Sequence, residues 1–92
     1  MTIGFLTASP AFSGAIENAC MQSDRRQVSA ALCACIQDVA DQRLSSGDQK
    51  EAAKFFEDPQ LAQETRMSDN PSKERFWERY KDWTEAATKS CG

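Results

Sequence analysis

The chain has 92 residues, four cysteines, no histidine and a formal net charge of −3 from 11 basic and 14 acidic residues. That length allows one domain at most, with an apolar core that supplies only a few kcal/mol unaided. The interspersed, slightly acidic charge argues against nucleic acid and against an anionic membrane surface, since both need a basic face.

Residues 1–13 (MTIGFLTASPAFS) carry no charge and hold Ile3, Phe5, Leu6 and Phe12 ahead of the small residues Ser13, Gly14 and Ala15. They read as the remnant of a secretory signal peptide or as a flexible N-terminus. Ala11 and Ser13 suit cleavage before Gly14; Ser13 and Ala15 suit cleavage before Ile16. The basic start of a full leader is missing, and Pro10 interrupts the apolar run. The cysteine content points independently to an oxidising compartment, so the expected location is the periplasm or outside the cell. No run approaches the ~20 apolar residues of a membrane span.

Residues 14–92 read as a single helical domain. A short helix is expected over Ala15 to Met21, with Ile16, Ala19 and Cys20 on one side. Asp24 and Gln27 make a capping-box pair for the next. Val28, Ala31, Leu32, Cys35, Ile36, Val39, Ala40 and Leu44 then recur at helical spacing, and Gly47 stands where a helix C-cap would end. Ser46 and Gln49 offer a second capping box before Ala52, Ala53, Phe55 and Phe56. Asp58-Pro59 suits a restart, with the proline at the first helical position. Leu61, Ala62, Thr65 and Met67 give that segment its modest apolar side. Ser68-Asp69-Asn70-Pro71 is a loop in which Asn70 caps and Pro71 opens a last helix, to about Lys89. Its stripe is Phe76, Tyr80, Trp83 and Ala87, and Cys91 extends it. Glu85 and Lys89 stand at i,i+4 spacing on its outer side. The expected fold is all-α: a small bundle of four to five helices stapled by two disulfides.

Four cysteines allow three pairings. Cys33 and Cys35 lie two apart on a helix and project about 200° from each other, which disfavours a bond between them. Cys35 shares the apolar stripe with Leu32 and Val39, and Cys91 extends the aromatic stripe. The preferred pairing is therefore Cys35–Cys91 with Cys20–Cys33. Cys20–Cys35 with Cys33–Cys91 stays open.

No catalytic residue is expected. The carboxylates show no paired signature, and Ser45-Ser46-Gly47 lacks the frame of a nucleophile elbow. No cofactor or metal is expected. A four-thiolate zinc site would use paired C-x2–4-C knuckles. A redox dithiol would sit as C-x-x-C at a helix N-terminus. A soft-metal carrier using the cysteines and Met21 lacks any pattern that fixes its geometry. Trp77 falls about 100° off the aromatic stripe and is expected to be partly exposed, a candidate anchor for a partner protein. Phe55, Phe56, Phe76, Trp77, Tyr80 and Trp83 could instead line a pocket for an amine or guanidinium, although aromatic stripes at helical spacing are usually core. Lys73, Arg75, Arg79 and Lys81 interleave with Glu74, Glu78 and Asp82 and read as a salt-bridged solvent face.

The segments Asp48-Gln49-Lys50-Glu51-Ala52-Ala53-Lys54-Phe55-Phe56-Glu57-Asp58-Pro59 and Phe76-Trp77-Glu78-Arg79-Tyr80-Lys81 accompany the Cys33 to Gln37 run. Together they resemble a group of small, uncharacterised exported proteins of alphaproteobacteria, some labelled arginine transporters. The resemblance covers nearly everything after Gly14. It implies a periplasmic or secreted helical protein with matching cysteines, and no particular activity. A chain without a membrane span, and too small for a two-lobed solute-binding protein, does not suit the transporter label. The reading is a non-catalytic interaction or accessory module for another periplasmic or envelope protein. The alternatives are a binder of a cationic amino acid or amine, and a thiol redox or soft-metal handling protein.

Overall fold

Cys33 and Cys35 leave one helix on opposite sides, and the arrangement of its neighbours follows. The computed structural model describes residues 14–23 and 28–92. The described residues form five helices: α1 (Ala15–Gln22), α2 (Ala30–Arg43), α3 (Ser46–Glu57), α4 (Gln60–Arg66) and α5 (Pro71–Cys91). The all-α class and the helix count agree with the sequence. Helix α2 packs between α1 and α5, α3 packs on α1, and α4 rests on α5 and α3. Cys33 bonds Cys20 of α1 and Cys35 bonds Cys91 of α5, with Cα atoms 5.6 and 5.9 Å apart. The preferred pairing is the one the fold adopts.

The caps differ from the sequence reading in instructive ways. The Asp24–Gln27 pair lies outside the described residues, as do residues 1–13 with their proposed leader. Helix α2 opens at Ala30 instead, with the Ser29 hydroxyl accepting from the Leu32 N–H. Ser45, not Ser46, caps α3 by accepting from the Asp48 N–H. Gly47 does not end α2; it lies in the first turn of α3. Leu44 ends α2 in an extended conformation (φ −124°, ψ 140°) that needs no glycine. The Gln49 side-chain N–H2 reaches the Leu44 carbonyl at 3.3 Å and, at 3.4 Å, the Ala40 carbonyl, which already accepts from the Leu44 N–H at 2.7 Å. Gln49 thus serves the end of α2 rather than a capping box. Asp58 ends α3; α4 starts one residue later than expected, with Pro59 rather than Asp58 as its N-cap and Gln60 first, although the Asp58 carboxylate accepts from the Gln60 N–H. Asn70 and Pro71 open α5 as expected, with the Asn70 amide oxygen accepting from the Ser72 N–H.

The core runs through Ile16, Val39, Ala40, Leu44, Ala52, Phe55, Phe76, Trp83 and Ala87. Because α2 has a neighbour on each side, it buries two faces rather than one stripe. Cys33, Gln37, Ala40 and Leu44 face inward on one side, while Leu32, Cys35 and Ile36 are only partly covered on the other. Gln37 is the polar member of that inner face, at 4 % exposure. Its carboxamide is fully engaged: Oε1 accepts from the Glu17 N–H, and Nε2 donates to Asp41 at 2.8 Å and Gln49 at 2.6 Å. It thereby satisfies an otherwise open N–H in the first turn of α1.

This explains Gly14, which precedes α1 at an ordinary φ of −75°. A methyl there would land on the Gln37 carboxamide. The position demands empty space, not unusual backbone. Gly14→Ala should displace Gln37 and strand buried polar groups, at a cost of about 1–3 kcal/mol. Gly47→Ala is the control: its methyl would meet only the Ser45 hydroxyl, at 3.9 Å. Thermal melts should show a lower Tm for the first and an unchanged or higher Tm for the second.

Candidate functional site

The aromatic residues lie at the joint of α3 and α5. Phe55 is buried and meets Phe76 and Tyr80 edge-on, with centroids 6.0 and 5.1 Å away. Trp83 is 3 % exposed and its indole N–H donates to the Ile36 carbonyl at 3.1 Å. These rings are core, as aromatic stripes at helical spacing usually are. Trp77 is different. It is half-buried, with its ring stacked on half-buried Tyr80 at 5.0 Å and 23°. The partial exposure expected from its angular offset is what the structure shows. Both rings belong to the 21-residue helix α5.

Trp77 also borders a shallow cleft shared with Arg66, Glu74, Arg75 and Glu78. Two guanidinium groups balance two carboxylates there. An acidic residue beside a partly exposed aromatic is what a cation site would use; Glu74 and Glu78 supply two beside Trp77, offset by Arg66 and Arg75. The rest of the α5 strip is tied down in part. Arg79 bonds Asp48 through two nitrogens, at 2.6 and 3.1 Å, and Arg43 pairs with Asp82 at 2.9 Å. Lys81 pairs with Glu78 at 3.3 Å. The hydrogen bond to Asp48 raises the Arg79 pKa further above its usual value, against a smaller opposing effect of burial. Arg79 is cationic at any accessible pH, and this exposed pair orients α5 on α3 more than it stabilises them. No ion pair joins Glu85 to Lys89 among the described residues.

A second concavity, of about 310 Å³, opens between α2, α3 and the C-terminal half of α5. Leu32, Ile36, Phe56, Tyr80, Ala87 and Cys91 contribute to its wall, and no charged side chain does. Its threonines are turned to their own helix: the Thr84 hydroxyl donates to the Lys81 carbonyl and the Thr88 hydroxyl to that of Thr84. The groove thus offers apolar surface and few free donors.

All four sulfurs are taken up in the two disulfides. A four-thiolate metal site would require both bonds to open. Among the described residues, no group of three or more Cys, Asp or Glu side chains could hold a metal ion. Within them, too, no helix is long and apolar enough to cross a membrane. The Gln37–Gln49–Asp41 cluster escaped the sequence reading. Its signal was the series Cys33, Gln37, Ala40, Leu44 at i, i+4, i+7 and i+11, a helical face with one glutamine in it.

The architecture defines the class as a small all-α protein stapled by two disulfides. Comparisons with protein-family models, curated proteins and solved structures find no match to the chain.

Proposed function

We propose that this is a non-catalytic interaction module of the periplasm or extracellular space, which docks another envelope or periplasmic protein through Trp77 and Tyr80. The observation that carries the reading is the pair itself: two stacked, partly exposed aromatic rings held on a long, covalently anchored helix. Aromatic side chains fixed in advance give large contact area at little entropic cost, and tryptophan is the commonest kind of interface anchor. The two disulfides support an oxidising compartment. The balanced charges around Trp77 favour a protein surface over a cationic small ligand.

The test uses the oxidised chain as bait in periplasmic extract, with Trp77→Ala as control, followed by titration of the purified partner. The expected result is one specific partner whose affinity falls by about tenfold or more in Trp77→Ala, while the helix content is unchanged. Capture of nothing specific, or equal binding by Trp77→Ala, overturns the proposal.

A further inference from the structure

The two disulfides are not equivalent. Cys20 is 2 % exposed and Cys33 is 0 % exposed, so that bond is almost closed to solvent. Cys35 and Cys91 are both partly exposed. Cys91 is the last residue of α5 and forms part of the wall of the apolar groove, whereas Cys35 does not reach it. Thiol–disulfide exchange proceeds by in-line attack of a thiolate on one sulfur, so its rate depends on which sulfur can be approached. Of the four cysteines, Cys91 alone is among the residues that line this groove.

We propose that Cys35–Cys91 is a thiol-exchange site for small uncharged dithiols that enter through this groove, and that Cys20–Cys33 is a permanent staple. A thiolate of the dithiol attacks the Cys91 Sγ; the bond to Cys35 breaks, and Cys35 leaves as a thiolate that takes up a proton. The second thiol, on losing its proton, attacks the dithiol's own sulfur in the mixed disulfide. Cys91 is released as a thiol and the dithiol closes into a cyclic disulfide. Two electrons and two protons pass from the dithiol to the bridge. An uncharged reductant suits a wall without charged side chains.

Opening this bond frees the last turn of α5 without releasing the helix. Trp83 still donates to the Ile36 carbonyl, and Arg43 still pairs with Asp82, both upstream of the bridge. Helix α1 stays attached to α2 through Cys20–Cys33. Trp77 and Tyr80 lie upstream of the bridge that anchors their helix, so exchange at Cys91 and docking at Trp77 are read out by separate experiments.

The oxidised chain is treated with dithiothreitol under native conditions, quenched with N-ethylmaleimide and mapped by peptide mass spectrometry. A doubly labelled species carrying its labels on Cys35 and Cys91 should accumulate, with Cys20–Cys33 opening on the order of ten times more slowly. Circular dichroism of that species should keep the helical signal. Equal labelling of all four cysteines, earlier labelling of Cys20 and Cys33, or no doubly labelled intermediate overturns the proposal. β-Mercaptoethanol with an acid quench tests the attacked atom: the mixed disulfide should sit on Cys91. An adduct on Cys35, or none on Cys91, overturns that assignment.

Discussion

Replacing Cys35 and Cys91 together by serine should lower the melting temperature by roughly 20 °C while leaving most of the helix intact at room temperature. The bridge joins residues 56 apart in sequence. Freeing a loop of that length restores chain entropy to the unfolded state worth about 4 kcal/mol. The folded state loses little, because both positions are partly exposed and a serine hydroxyl at either can reach water. The cost therefore falls on the unfolded side, and a second observable follows. The released chain exposes more surface, so the denaturant slope m should rise as the midpoint falls. The Cys20–Cys33 pair has a separation of 13, and the same model gives about 3 kcal/mol. Serine there adds two hydroxyls to a site with almost no exposure, so its measured cost should exceed the loop term. Thermal and urea melts of the two double variants separate these contributions. A drop of less than about 5 °C for the Cys35 and Cys91 variant, with m unchanged, would mean that the bridge does not act on the unfolded chain.

The cysteine order was legible in part: the turn angle of an α-helix excludes a Cys33–Cys35 bond, and only the apolar stripes favoured one of the two pairings that remain. Two residues apart means opposite sides, so each cysteine needed its own distant partner. The position of α5 was legible for a similar reason: Asn70-Pro71 is a strong local start signal, and the structure uses it. The other starts were less determined. Several polar residues stood near each, and tertiary contacts chose among them. Ser45 and Ser46 are equally good caps in isolation; Ser45 serves because Leu44, directly before it, is buried at 6 % exposure and sets where α2 must end. Gln49 looked like half of a capping box, yet the carbonyls at the end of α2 hold its side chain. A sequence shows which groups can cap, not which neighbouring helix end most needs them.

The candidate site was legible only in part. The exposure of Trp77 followed from its angle on α5, but its stacking on Tyr80 could not be read from spacing, because i and i+3 rings need not lie face to face. The groove was not legible at all. It exists because the partly covered side of α2 and the end of α5 meet without filling the space between them. Gln37 was passed over because a search for apolar periodicity rejects the one polar residue on a buried face. Gly14 became meaningful only once Gln37 was in place, since its role is to leave room for that side chain.

Trp83→Ala should be the most damaging single substitution, costing about 3–5 kcal/mol, whereas Trp83→Phe should cost roughly 1–2 kcal/mol. Trp83 is the largest side chain between α2 and α5, and its indole N–H reaches the Ile36 carbonyl near the middle of α2. Its ring also meets Tyr80 edge-on at 5.6 Å and 61°. Alanine removes all of this and leaves a void that rigid, disulfide-tied helices cannot close. Phenylalanine keeps most of the volume and loses the hydrogen bond, so the gap between the two variants measures packing against polar anchoring. The loss from alanine matches the whole net stability that a core of this size supplies unaided, so the variant should hold together through its disulfides and little else. Its near-ultraviolet circular dichroism should collapse while part of the helical signal remains. The Trp77→Phe variant keeps Trp83 as its sole indole, so its fluorescence reports the state of Trp83 alone. Near-wild-type stability for Trp83→Ala would mean that the two bridges, not the aromatic core, hold α5 on α2. Loss of the Trp83 contact also removes one of the two rings that meet Tyr80 edge-on, and Tyr80 is the ring on which Trp77 stacks. The docking surface is thus built on the core by direct contact, and Trp83→Phe should weaken partner binding less than Trp77→Ala does, although Trp83 is the more buried of the two.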